Sequence, residues 1–243
     1  MNADEVFRQE VEENIERLRR DDDIRRYSHE WMSASIHNRY TYNFSWLGRP
    51  IIQYPQDIVA MQEILWTVRP NLVIETGVAR GGSLVFYASM LELIGAGSVL
   101  GIDIDIRAHN REALEQHPMM HRIELVEGSS ISPDVVASVS ARAQSADRVV
   151  VVLDSNHTHD HVLAELRAYA PLVSLGSYCV VMDTLVEEFP EHEYGDRPWG
   201  VGDNPRTAVA EFLKGNAGFE VDERMDAKLQ ISSAAQGYLR RIA

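Results

Sequence analysis

The feature that most restricts the fold is the run Arg148-Val149-Val150-Val151-Val152-Leu153, in which apolar residues follow one another without alternation. A strand with one wet face alternates apolar and polar residues, so an unbroken β-branched run belongs to a strand covered on both faces. Four other short runs share this character, at residues 72–75, 98–103, 122–126 and 178–182. Helical spacing fills the intervals, at residues 81–93, 110–116, from Pro133 onward and at 160–170. Such repetition predicts right-handed crossover units in an α/β, doubly wound, mostly parallel sheet. A helix at 205–214 and two closing runs, 219–224 and 237–242, fit the end of that sheet as a hairpin-like pair.

Residues 1–58 have a different texture and read as an arm and cap, with residues 59–243 as the main domain. A charged helix at 5–20 carries a narrow apolar stripe of Val6, Val11, Ile15 and Leu18. Tyr40, Tyr42, Phe44 and Trp46 then recur at every second position, which in an extended segment puts four rings on one face. That face either covers the core or also roofs a ligand pocket or pairs subunits.

Charge narrows the partners. The chain has 23 Lys and Arg against 37 Asp and Glu, a formal charge of −14, whereas a phosphate-backbone binder shows the opposite balance or a basic stripe. Nucleic acid is therefore not expected as a partner. No apolar stretch is long enough to span a bilayer, and the charged start does not resemble a signal peptide. Together with the single cysteine, Cys179, inside an apolar run, this predicts a cytoplasmic protein with no membrane partner.

In open parallel sheets, ligands bind beyond the carboxyl ends of the strands where the strand order reverses. The first core strand ends in Glu75-Thr76-Gly77-Val78-Ala79-Arg80-Gly81-Gly82-Ser83. Its glycines let the backbone turn tightly against a ligand, and the following helix offers free N–H groups. The spacing is neither the dinucleotide fingerprint nor the phosphate loop, because the lysine followed by Ser or Thr is missing. The second strand ends at Asp103, with Asp105 as a rival, placed to accept ribose hydroxyls. The third ends in Glu127-Gly128-Ser129-Ser130, which either meets an adenine edge or caps the next helix. A leading acid, a glycine turn and a second acid point to S-adenosylmethionine more than to a nicotinamide.

The fourth strand ends in Asp154-Ser155-Asn156-His157-Thr158-His159-Asp160-His161. The three alternating histidines are scattered by the change from strand to helix rather than gathered into a zinc site; Asp160 is expected to cap the helix and His161 to lie on its surface. Asp154 and His157 stand at the mouth of the sheet, and Asp183 joins them if its strand is the neighbour. Two converging carboxylates suit an oxygen-ligated ion such as Mg2+, with His157 as a base near neutral pH. The alternative is that both acids only cap turns. In the long loop 187–204, Tyr194, Arg197 and Trp199 are candidates to close over a substrate, though Trp199 fits equally as a core plug.

The segments Tyr42-Asn43-Phe44-Ser45-Trp46-Leu47-Gly48-Arg49-Pro50-Ile51-Ile52-Gln53, Ile74-Glu75-Thr76-Gly77 with Gly81-Gly82-Ser83, Leu153-Asp154-Ser155-Asn156-His157 and Arg197-Pro198-Trp199-Gly200 resemble the cephalosporin hydroxylase and rhamnosyl O-methyltransferase family. The resemblance runs from about Tyr40 to Ile242. It implies a Rossmann-like, seven-stranded S-adenosylmethionine-dependent methyltransferase, usually a homo-oligomer, acting on hydroxyls of sugars or glycosylated specialised metabolites. On this basis Glu75, Thr76, Gly77, Gly81, Ser83, Asp103, Glu127, Ser129 and Asp154 are expected to hold the cofactor, and Asp154 and Asp183 to hold Mg2+. Some members carry a further acid where this chain has Met182, so the ion is weaker, completed by His157 or Glu187, or absent. Hydroxylation by non-haem iron wants two histidines and a carboxylate on one face, and no such set is evident. N-methylation of an amino sugar and a non-catalytic cofactor-binding role remain as rivals.

Overall fold

The computed structural model describes residues 2–189 and 196–243. Seven strands form the central sheet: β3 (Leu72–Thr76), β4 (Ser98–Asp103), β5 (Ile123–Glu127), β6 (Val149–Leu153), β7 (Tyr178–Val181), β8 (Phe219–Val221) and β9 (Tyr238–Arg241). Their order is β5-β4-β3-β6-β7-β9-β8. The first five run parallel, while β9 pairs antiparallel with both β7 and β8. The closing pair is thus antiparallel as expected, but a short helix, α9 (Glu223–Leu229), separates its strands.

All five residues of β6 are buried, as an unalternating run requires. Burial of each such Val or Leu side chain contributes about 1.5–3 kcal/mol, which is what drives β6 to the middle of the sheet. One layer on the sheet holds α3 (Pro55–Val68) and α4 (Gly82–Ile94), packed on Val73, Val99, Val150 and Val152. The opposite layer holds α6 (Pro133–Ala143), α7 (His159–Tyr169) and α8 (Pro205–Gly215), packed on Ile74, Leu100, Val149 and Val151. Helix α5 (Ala108–Glu115) fills the connection from β4 to β5. Cys179 is fully buried within the second layer.

The arm begins with α1 (Ala3–Arg20) and α2 (Asp22–His37). Asn2 and Glu5 form a reciprocal cap on α1, and Asp21 accepts from the Ile24 N–H at the start of α2. The alternation of rings at residues 40–46 does not make one extended face. Tyr40–Asn43 is a 3-10 turn, and only Phe44–Trp46 is a strand, β1, paired with β2 (Arg49–Ile51). The physical reason is local: Arg39 takes a left-handed φ of 52°, and the Asn43 side-chain amide donates to the carbonyls of Arg39 and Tyr40. Phe44 packs on Tyr40 and Trp46 on Phe86, while the Tyr42 ring turns under the Arg39 guanidinium.

Strand order reverses between β3 and β6, whose last residues, Thr76 and Leu153, are register partners. Gly77 and Asp154 follow directly. No helix among the described residues is long and apolar enough to cross a membrane.

Candidate active site

At the switch point the ends of β3 and β6 nearly touch. A Cβ on Gly77 would lie 2.0 Å from the carbonyl oxygen of Asp154, and Gly77 has a φ of 92°, so only glycine fits. The following turn is tied by Asp103, whose Oδ2 accepts from the Val78 N–H at 2.8 Å and the Ala79 N–H at 3.2 Å. Asp103 also borders a cavity, whereas Asp105 extends outward beside Arg107. Gly81, with φ 77°, starts α4 and packs on Leu114 rather than lining that cavity.

Beneath the turn, Glu75 is fully buried. Ser83 Oγ donates to its Oε2 at 2.7 Å, while its Oε1 has no partner among the described residues. Burial pushes the Glu75 carboxyl up to about 8, with the Ser83 bond opposing. The buried Tyr87 hydroxyl lies beside Glu75 and the Gln53 amide, and the Thr76 hydroxyl on the other face of β3 has no partner among the described residues. Glu75 therefore holds its proton well above the usual carboxylate range.

Two cavities open at the carboxyl edge. The smaller, about 300 Å³, is lined by Gly77, Asp103, Ile104, Ser129, Ser130 and His161. The larger, about 520 Å³, takes its walls from the arm as well as the sheet, including Arg39, Tyr42, Tyr54, His157, Asp183 and Arg197. Ala79, Asp154, Ser155 and Trp199 line both, so the cavities adjoin there.

Asp154, His157 and Asp183 converge on the larger cavity, with one candidate ligand atom from each lying within 4.8 Å of the others. Neighbouring β6 and β7 bring the two acids together, and Asp183 is aimed by a left-handed φ of 56°. Burial first, then the negative charge of Asp183, pushes Asp154 well above the usual carboxylate range. Among the described residues no Lys or Arg pairs with either acid. The His157 ring meets Trp199 edge-on, with centroids 4.8 Å apart, and the Arg197 guanidinium stands 5.1 Å from the indole centroid.

The three histidines do separate. His157 joins the acids, His159 Nδ1 contacts Thr207 Oγ1 at 2.8 Å, and His161 Nε2 lies 3.1 Å from Ser130 Oγ. His161 is therefore not a surface residue: it turns into the smaller cavity toward Ser130, Ser155 and the buried Glu165. Nor does Asp160 cap α7; Thr158 holds the cap position, and Asp203 from the long loop accepts from the His159 N–H at 2.7 Å. Glu187 does not reach the acids, because it receives the Gly202 N–H at 2.8 Å and the Asn204 amide and so holds the loop onto α8. Met182 is 2% exposed and borders the larger cavity without offering a hard ligand. Glu127 pairs with Arg111 at 2.8 Å, while Ser129 faces the smaller cavity. Tyr194 lies outside the described residues. The walls supplied by Arg39, Tyr54 and Ile104 carried no motif, whereas Tyr42 lies in the aromatic run expected to cover the core or roof a pocket and His161 in the histidine run after β6.

A doubly wound sheet with an antiparallel seventh strand and a glycine turn at the switch point is the fold of the S-adenosylmethionine-dependent methyltransferases. The chain belongs to the rhamnosyl O-methyltransferase/CmcI family, whose model matches residues 38–242. It is 29% identical over 221 residues to the rhamnosyl O-methyltransferase of Mycobacterium tuberculosis strain H37Rv, covering 86% of this chain and 85% of that protein. The Mycobacterium leprae rhamnosyl O-methyltransferase is 28% identical over 218 residues, covering 86% and 90%. Among solved structures, CmcI with Mg and SAM superposes with a TM-score of 0.57 at 21% identity, covering 83% of this chain and 78% of that one. TomG from Streptomyces achromogenes, an O-methyltransferase in complex with SAM, gives 0.54 at 14% identity, covering 92% of each chain.

Proposed function

We propose that this chain transfers a methyl group from S-adenosylmethionine to a hydroxyl of a deoxysugar, carried on a nucleotide sugar, a glycan or a glycosylated natural product. The observation that carries the reading is the junction of two cavities at Asp154 and Trp199, one fit for a nucleoside and the other walled by acids and aromatics. CmcI holding Mg and SAM and the two mycobacterial rhamnosyl enzymes support the same assignment.

In this reading the smaller cavity takes the adenosyl group. Asp103 already accepts two N–H groups through Oδ2 and the Asp105 N–H through Oδ1 at 3.1 Å, and presents the remaining acceptor position on Oδ1 to the ribose. Ile104 supplies an apolar face to the base, and Ser129, Ser130 and His161 supply polar edges. Glu75 lines neither cavity and supports the cofactor from beneath the glycine turn, through its bond to Ser83.

The carboxylates of Asp154 and Asp183 fit a divalent cation, because the negative charge of Asp183 raises the proton affinity of Asp154 and a cation between them relieves it, leaving His157 beside them as the base. Magnesium, when bound, lowers the proton affinity of a chelated hydroxyl. His157, its Nε2 facing Asp183 Oδ2 at 3.1 Å, takes the hydroxyl proton on the other ring nitrogen, Nδ1. The freed oxygen attacks the sulfonium methyl; the C–S bond breaks and its electron pair leaves with the neutral thioether. Trp199 and Arg197 stack over the sugar and keep water from the junction.

Labelled cofactor offered with a panel of sugar nucleotides and rhamnosides tests the reading, alongside Asp154→Ala. Label should pass to a sugar hydroxyl, chelator should suppress it, and Asp154→Ala should abolish it while cofactor binding by calorimetry persists. Transfer that survives Asp154→Ala contradicts the assignment, and chelator-insensitive transfer to an amine favours an N-methyltransferase.

A further inference from the structure

Asp57, in the first turn of α3, is fully enclosed, with 0% exposure. Both of its oxygens are engaged. Oδ1 accepts from Ser232 Oγ at 2.6 Å and Tyr238 Oη at 2.8 Å, and Oδ2 accepts from the Ser233 N–H at 2.8 Å and Ser233 Oγ at 2.9 Å. A buried carboxylate is a poor way to gain stability, because its desolvation offsets most of what the bonds return. Its donors all lie on one C-terminal segment, which points to a role in placing that segment.

That segment is laced to the turn that carries Asp183. The Ser233 carbonyl accepts from the Leu185 N–H and from Thr184 Oγ1, each at 3.3 Å. Thr184 Oγ1 also donates to the Ala235 carbonyl at 2.6 Å, and the Val181 N–H donates to the Gly237 carbonyl at 2.8 Å. Asp183 stands between these ties in a left-handed conformation that a non-glycine residue holds only when its surroundings impose it. Ser233 borders the same cavity as Asp183.

We propose that Asp57 is a positioning residue: through Ser233 it holds the Thr184 and Leu185 backbone so that Asp183 stays turned toward Asp154 and His157. The proposal rests on the reading of Asp183 as a cation ligand.

The test measures Mn2+ uptake by electron paramagnetic resonance and S-adenosylhomocysteine binding by calorimetry on Asp57→Asn and Ser233→Ala. The amide of Asp57→Asn turns a donor against two donors of the segment, and Mn2+ affinity should fall roughly 10- to 100-fold, the range for partners behind a ligand. Nucleoside affinity should stay within about twofold of wild type, because the smaller cavity shares no wall with this segment. Ser233→Ala keeps the backbone N–H to Asp57, so it should shift Mn2+ affinity in the same direction by less, and it carries the test if Asp57→Asn fails to fold. Unchanged Mn2+ affinity in both, or equal loss of both ligands, overturns the proposal. Wild-type protein that takes up no Mn2+ overturns the ligand role of Asp183 with it, whereas wild-type uptake with insensitive variants overturns the positioning role alone.

Discussion

His157 Nε2 lies 3.1 Å from Asp183 Oδ2, so an imidazole from the turn after β6 meets a carboxylate from the turn after β7 across the floor of the larger cavity. The contact orients the ring, as a base beside an acceptor hydroxyl requires. His157→Ala should lower kcat by roughly 10²- to 10⁴-fold, the usual worth of a general base, with S-adenosylhomocysteine affinity unchanged. Single-turnover methyl transfer and calorimetry on the same sample check both halves.

The buried acid Glu75 makes stability depend on pH. Its carboxyl is raised to about 8 in the fold, so the folded chain holds a proton that the unfolded chain gives up from about 4.5 upward. The empty protein should therefore lose stability as pH rises through that window, and Glu75→Gln should remove that part of the loss. Thermal melts of both proteins across pH 5 to about 9 read this directly; parallel curves would contradict it.

Trp199 faces both cavities and is only partly buried, so its removal should cost function more than folding. Trp199→Ala is expected to raise the acceptor KM roughly tenfold or more, as loss of a stacked aromatic surface does, with a small change in Tm. A large fall in Tm with unchanged KM would instead make the indole a core plug.

Gly77→Ala should be severe for two independent reasons, a φ of 92° and a Cβ placed 2.0 Å from the Asp154 carbonyl. Relief requires β3 and β6 to part at the site, so cofactor affinity should collapse with a clear drop in Tm. Calorimetry and a melt on the variant measure this, and near wild-type values would show that the strand ends have room the structure denies.

Much of this was legible in the chain, and the reasons differ by region. The buried strands β3, β4, β6 and β7 announced themselves because a strand covered on both faces has no wet side to interrupt its apolar run. From parallel order alone, Gly77, Asp103, Asp154 and Asp183 fall at strand ends, where the structure also has them. The arm was legible only in part: the charged helix expected at 5–20 is α1, with Ile15 of its stripe buried, but the rest was hidden. The dense charge of α2 conceals that Met32 and Ser35 are buried, and a 3-10 turn set by Asn43 interrupts the alternating aromatics. His161 read as surface because its burial comes from Ser130 and Glu165, contacts that no local pattern encodes.

The two cavities at the carboxyl edge meet at Asp154. A crystal grown with S-adenosylhomocysteine and Mn2+, with anomalous scattering locating the metal, tests their roles most directly. The account predicts the nucleoside against Gly77, Asp103 and Ser129, and the manganese peak between Asp154 and Asp183. A nucleoside bound elsewhere, or a peak away from those two acids, would contradict it.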